Sequence, residues 1–293
     1  MSKVDTRKET AMALEIRPLC DALGMEVVGA DLTAPLPAAE AKAIDDAFLE
    51  HHLLCFRTDP LEPAAFARVA RYFGDPQLQL IRTQRHGKNP EVSVLESTYK
   101  SPSDKPDDLE SVRLAGWHTD DSYFEVPAKA TMLQSIVIPN EGGQTKFCNM
   151  RKAYEDFPDE RKPDLEGLKA VHGYDTSRAP GRPKIRTQEE IDETPDVEHP
   201  LVRTHEDTGR KSFYFNANRT DRIVGWGRDE SDALLDEVYT QITAPKYQYH
   251  HEWQVGDLLL WDNRCLVHSV NVDYPVGQKR LHQRILLKGQ RPV

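Results

Sequence analysis

The sequence has little of what would mark a secreted, membrane-bound or nucleic-acid-binding chain. Its four cysteines, Cys20, Cys55, Cys148 and Cys265, are scattered without a CxxC pair, so there is no disulfide framework to read, and a reducing cytoplasm suits them. No uninterrupted apolar run approaches the roughly 20 residues a membrane helix requires. Residues 1–12, MSKVDTRKETAM, lack the apolar stretch of a secretory signal and read as a flexible N-terminal tail. Positive charge is also in deficit, with 38 Lys and Arg against 48 Asp and Glu and a formal charge of -10. Such a surface repels a phosphate backbone, which makes nucleic acid a poor partner. No internal repeat or low-complexity tract is present.

What remains is a cytoplasmic globular chain. Its 293 residues are enough to bury a substantial core, and a single domain over 13–293 is expected. Leu14–Pro18 and Met25–Val28 read as short strands, Ala38–His51 as a helix, and Leu53–Phe56 as a buried strand. Pro63–Phe73 reads as a second helix, opened by its proline and stopped by Gly74. Near the C-terminus, Asp229–Ile242 has a helical pattern, Tyr247–Trp253 alternates, and Leu258–Trp261 is a strongly apolar strand. Short late strands separated by turns fit an α+β chain with a jelly-roll (double-stranded β-helix) core and flanking helices better than an alternating βαβ sheet. Two polar, proline-containing stretches, 98–113 and 175–198, have no periodicity and are expected to be lid loops.

The chemistry concentrates in His118-Thr119-Asp120. Two residues apart on an extended strand, His118 and Asp120 face one way and can reach a common cation, while Thr119 points away. The triplet by itself does not make a metal site, because a third ligand must come from elsewhere. Among the 11 histidines, His268 is the best placed, following a buried strand and the polar turn Asp262-Asn263-Arg264. His51, His52, His250 and His251 occur as adjacent pairs suited to surface or packing roles. Spacing alone leaves His86, His172, His199, His205 and His282 unassigned. Two imidazoles and one carboxylate leave half of an octahedron open, an arrangement suited to non-haem iron(II).

The runs WHTDDSYFEVPAKATMLQSIVIPNEGGQTKFCNM, Trp117 to Met150, and WDNRCLVHSVNVDYPVGQKRLHQR, Trp261 to Arg284, resemble the taurine dioxygenase and dichlorophenoxyacetate dioxygenase family of iron(II)- and 2-oxoglutarate-dependent enzymes. The likeness extends in order through HPLVRTHEDTGRK, His199 to Lys211. It implies His118, Asp120 and His268 as the catalytic iron ligands. Thr145, within GGQT, and Arg280 would hold the remote carboxylate of 2-oxoglutarate; Lys279 is adjacent, but only Arg280 has the family's spacing to a second arginine. That second arginine, Arg284, would face the anionic group of the substrate. Trp117 and Trp261 would pack the barrel wall.

The same resemblance implies hydroxylation of a small organic anion at the expense of 2-oxoglutarate and O2, with succinate and CO2 released. The carboxylate of Asp120 sets the chain apart from halogenating relatives, which carry a small residue there. GGQTKFCNMRKAYE, Gly142 to Glu155, is closer to the aryloxyacetate branch than to the taurine branch. Phe73-Gly74 is followed by Gln77, Gln79 and Arg82 where taurine enzymes place a histidine, which argues against taurine itself. An aryloxyalkanoate is therefore favoured, with a sulfonate or alkyl sulfate as other anions. Hydroxylation beside an ether oxygen would end in ether cleavage. A natural-product or amino-acid hydroxylase of the same fold is the alternative, and a non-catalytic metal-binding protein a further one. The family also implies a homo-oligomer, a dimer or tetramer.

Overall fold

The computed structural model describes residues 14–105, 116–179 and 186–293. The tail 1–12 and parts of both expected lids, 106–113 and 180–185, lie outside the described residues.

The architecture follows from strands that bury both faces. The main sheet runs in the order Glu15–Pro18, Met25–Val28, Leu53–Phe56, Leu258–Asp262, Ala130–Val137, Leu281–Leu287 and Pro76–Gln77, with Ser93–Glu96 also paired to Leu281–Leu287. All of these pairings are antiparallel except that of Met25–Val28 with Leu53–Phe56, which are joined across the helix Ala38–His51. Because side chains alternate along a strand, each central strand serves two cores. Leu54, Phe56, Met132, Leu258, Leu260, Ile285 and Leu287 point toward the helices Ala38–His51 and Pro63–Ala70, where they pack with Ile44, Phe48, Phe66 and Val69. Leu53, Cys55, Leu133, Leu259 and Trp261 point the other way, against Phe147 and Leu266 of a second sheet.

That second sheet has three strands, Gln248–His251, Thr145–Asn149 and Leu266–Val270. Its outer face, through Cys148 and Val267, packs with Leu234, Leu235 and Val238 of the helix Arg228–Ile242. A smaller sheet, Thr220–Ile223, Lys169–His172 and Val197–Pro200, and the ribbon Val202–Thr204 with Lys211–Phe213 complete the α+β fold. No helix among the described residues is long and apolar enough to cross a membrane.

Most expected elements form where the sequence places them, and two differ. The second helix ends at Ala70; the chain then passes through a turn to Gly74, whose φ of 151° is in the range favouring glycine. The described part of the stretch 175–198 is not wholly irregular. Thr187 and Glu190 form a reciprocal capping box that starts the short helix Gln188–Asp192, and Val197 already belongs to a strand.

Candidate active site

A cavity of about 450 Å³ opens between the main and second sheets, with Leu133 and Trp261 of the core between them in its wall. The inward set of each strand supplies its lining. Leu281–Leu287 contributes His282 and Arg284, while Gln283 on the opposite face bonds Leu61 O and Gln134 Oε1. Thr145, His268 and Val270 come from the second sheet, where Val270 pairs with Thr145 and His268 with Phe147.

His118 and Asp120 enter by a route other than the expected strand. His118 forms an isolated bridge with His268, its N–H donating to His268 O at 2.9 Å and accepting the reciprocal bond on its carbonyl at 2.7 Å. The chain then turns: Asp121 has φ 59° and its carbonyl accepts from Phe124 N–H. The two histidines are thus brought together by the bridge, and the Asp120 carboxylate is swung in by the turn. One ligand atom from each of His118, Asp120 and His268 lies within 4.8 Å of the others, close enough to share one ion. The two imidazole centroids are 4.1 Å apart.

The cluster is held by hydrogen bonds outside it. His118 Nδ1 is 2.8 Å from Gly116 O, which fixes that nitrogen as the donor and turns Nε2 toward the cavity. Thr131 Oγ1 donates to Asp120 Oδ2 at 2.7 Å and accepts from Asn263 Nδ2 at 2.8 Å. Asn263 Oδ1 in turn accepts from Trp261 Nε1 at 2.9 Å, and Asn263 O accepts from Thr119 Oγ1 at 2.7 Å. The Asp262-Asn263-Arg264 turn is anchored by buried Asp262, which accepts from Arg264 and pairs with His205 Nε2 at 2.9 Å.

Electrostatics suit a cation. Burial would raise the Asp120 carboxyl, but Arg284, His268, His118 and the Thr131 hydroxyl outweigh it and hold it at about 2. Burial and the neighbouring His118 push His268 down to about 3, leaving a neutral imidazole with its lone pair available. His268 Nδ1 is buried with no hydrogen-bond partner among the described residues. The neighbouring Asp121, raised to about 6 by burial and by Asp120, accepts instead from Tyr123 Oη and Gln77 Nε2. Two imidazoles and one carboxylate around a shared point fit a divalent first-row metal.

The rest of the cavity falls into two ends. At one, Arg280 is only 5% exposed. Among the described residues its guanidinium makes one hydrogen bond, to Gly143 O at 3.4 Å; its Nε is buried without a partner, and no carboxylate pairs with it. Burial pulls this guanidinium down to about 10, with Tyr274 and Tyr99 opposing the fall. Thr145, fully buried, accepts from Trp253 Nε1 at 3.1 Å, which leaves its own proton for an acceptor in the cavity. A buried, unpaired guanidinium beside a free hydroxyl proton fits a carboxylate. At the other end, Gln79, Ile81, Gln84, Tyr123, Tyr174 and Arg219 form the lining. Arg219 stacks on Tyr174 and Tyr123 at 4.0 and 4.7 Å. Arg284 lies between the ends, its Nη1 3.5 Å from Asp120 Oδ1.

All six residues expected at the site, His118, Asp120, Thr145, His268, Arg280 and Arg284, line this one cavity. The supports Thr131 and Asn263 and the wall residues Tyr123, Tyr174 and Arg219 were not expected. Asn263 had a signal, in the polar turn straight after the apolar strand; Tyr123 and Thr131 lie within the run Trp117–Met150 without a pattern of their own, and Tyr174 and Arg219 lie outside the quoted runs. Of the residues after Gly74, Gln79 reaches the cavity, whereas Arg82 is tied to Glu193.

Comparison with known proteins agrees with this geometry. Residues 15–286 match the model of the "Taurine catabolism dioxygenase TauD, TfdA family". The chain is 33% identical over 267 residues to the alpha-ketoglutarate-dependent 2,4-dichlorophenoxyacetate dioxygenase of Burkholderia sp. (strain RASC), covering 89% of each. It is 30% identical over 287 residues to an alkylsulfatase of Acinetobacter baylyi, covering 94% of this chain and 86% of that one. The crystal structure of AAD-2 in complex with Mn(II) and N-oxalylglycine superposes with a TM-score of 0.79 at 28% identity, over 96% of this chain and 99% of that chain. The chain therefore belongs to the taurine dioxygenase and dichlorophenoxyacetate dioxygenase family, whose members are iron(II)- and 2-oxoglutarate-dependent dioxygenases.

Proposed function

We propose that the chain hydroxylates a small organic anion, an aryloxyalkanoate in first place, within a single jelly-roll domain. In this reading His118, Asp120 and His268 hold iron(II), Thr145 and Arg280 hold the remote carboxylate of 2-oxoglutarate, and Arg284 faces the anionic group of the substrate. Iron(II), 2-oxoglutarate and O2 together supply the oxidising power, with succinate and CO2 as products.

The protein's own residues bind, orient and shield. Arg280, already desolvated, keeps its charge for an incoming carboxylate, since no acidic side chain competes for it among the described residues. The Thr131 hydroxyl occupies Asp120 Oδ2, while Oδ1 lies 3.5 Å from Arg284 Nη1. Tyr123 and Tyr174 offer ring surfaces for an aromatic or other apolar substrate body, with their centroids 5.0 Å apart. The short helix Gln188–Asp192 and the following Glu193 are tied to the rim of this end. Arg82 Nη2 donates to Glu193 Oε1 at 2.7 Å and Arg82 N–H to Glu190 Oε1 at 3.3 Å, tying the segment to the Ile81–Gln84 rim and helping to exclude water.

The observation that carries the reading is one cavity joining a two-histidine, one-carboxylate cluster to an unpaired buried arginine. The relatives' names point to the same kind of substrate, one to an aryloxyacetate and one to an alkyl sulfate. Succinate release from 2-oxoglutarate, measured across matched aryloxyalkanoates, sulfonates, alkyl sulfates and amino acids, tests it. Stimulation by aryloxyalkanoates above the other anions is the expected result. Stimulation by amino acids and by none of the anions would overturn the substrate assignment.

A further inference from the structure

Between the two arginines of the Leu281–Leu287 edge stands a histidine with nothing to bond. His282 is 1% exposed, and both its Nδ1 and its Nε2 are buried without a hydrogen-bond partner among the described residues. Other buried histidines are better met: His205 and His251 have partners at both ring nitrogens, and His199 has one at Nε2, Phe124 O. His52 is equally unpartnered, but it sits at a helix C-terminus and does not line the cavity. Leaving both ring nitrogens of a buried imidazole unmet costs stability unless something binds there.

Its position says what that something is. Side-chain alternation puts His282 on the same inward face as Arg284, and Arg280 precedes it by two residues. Arg280 is the largest charge acting on His282, and after burial it is the main reason the imidazole stays neutral. The His282 ring also packs edge-on against Trp253, with centroids 4.7 Å apart. The Trp253 indole N–H is the one bonded to Thr145 Oγ1. Thr145, Arg280 and His282 therefore surround the same end of the cavity. A neutral imidazole always carries one N–H, so the donor is present whichever tautomer is adopted.

We propose that His282 donates a hydrogen bond to the remote carboxylate of 2-oxoglutarate, completing with Thr145 and Arg280 a three-donor receptor for that group. This rests on the co-substrate site proposed above and extends it to a residue outside the threonine and arginine implied by the family resemblance. The carboxylate is the only part of the co-substrate that needs this contact. A 2-oxo acid of the same length without the remote carboxylate, 2-oxopentanoate, gains nothing from it.

Calorimetric titration of 2-oxoglutarate and of 2-oxopentanoate into the anaerobic Mn(II)-loaded protein separates the contributions. His282→Phe keeps an aromatic ring against Trp253 and removes the donor; His282→Gln restores an N–H. Expected is a rise in Kd for 2-oxoglutarate of roughly ten- to a hundredfold in His282→Phe, the range for a hydrogen bond to a charged group. His282→Gln should recover part of it, and 2-oxopentanoate affinity should be the same in all three proteins. Unchanged 2-oxoglutarate affinity in His282→Phe, with Arg280→Ala still weakening it, would overturn the role of His282 alone. Equal weakening of both ligands in His282→Phe would reduce the residue to packing and overturn it too. If Arg280→Ala also binds 2-oxoglutarate normally, the co-substrate site itself is misplaced and both readings fall.

Discussion

Thr131 Oγ1 stands 2.7 Å from Asp120 Oδ2 and gives it a proton, while the same oxygen receives one from Asn263 at 2.8 Å. The relay reaches Asp120 from Trp261 through an amide and a hydroxyl, so the carboxylate is aimed before any ion arrives. Thr131→Val keeps the shape and removes the donor. It should weaken Mn(II) binding about ten- to a hundredfold, as loss of an outer hydrogen bond to a ligand does, with far-ultraviolet circular dichroism unchanged. Normal metal affinity in this variant would remove Thr131 from the site's support.

The Asn263 side chain meets Trp261, Thr131 and the Asp120 N–H from a fully enclosed position. Asn263→Ala should therefore cost stability as well as metal affinity, by about 1–3 kcal/mol for polar groups left unmet. Urea unfolding of the metal-free protein measures it, and a loss well under 1 kcal/mol would mean that solvent or a shifted neighbour replaces the amide.

In the proposed reading Arg280 and Arg284 divide two anions between them. Arg280→Ala should mainly raise the concentration of 2-oxoglutarate needed for half-maximal turnover. Arg284→Ala should leave that value near wild type and raise the one for the anionic substrate. Equal effects of both variants on the co-substrate would contradict the division.

Buried neutral histidines make the metal-free fold sensitive to mild acid. Burial holds His52 at about 3 and His199 at about 4, against an ordinary 6.5. Below about pH 6.5 the unfolded chain takes up protons that the folded chain refuses. Stability is thus greatest above that pH and falls as pH drops toward 4. At about pH 5.5 each of the two should have lost roughly 1 kcal/mol. Urea midpoints at about pH 7.5 and 5.5 test the sign, and a midpoint that rises on acidification would contradict it.

The sequence made the metal cluster and the arginine pair legible because each sits in a short local pattern. The HxD triplet, the histidine after an apolar strand and turn, and the R-x-x-x-R spacing each survive without knowledge of the fold. Apolar strands such as Leu53–Phe56 were legible for the same reason. What was not legible depends on alternation across partner strands. Thr131 faces the site because Trp261 pairs beside it, and His282 faces it because it falls on the same side of its strand as Arg284. The turn at Asp121, where the HxD segment leaves its expected strand, is a left-handed backbone position that no residue pattern announced.

Anaerobic titration of iron(II) and 2-oxoglutarate, followed by the weak visible charge-transfer band of their complex, tests the convergence of His118, Asp120 and His268 most directly. The band should appear with the wild-type protein and be lost in both His118→Ala and His268→Ala while each variant remains folded. A band of undiminished intensity in either variant would remove that histidine from the coordination sphere and contradict the site.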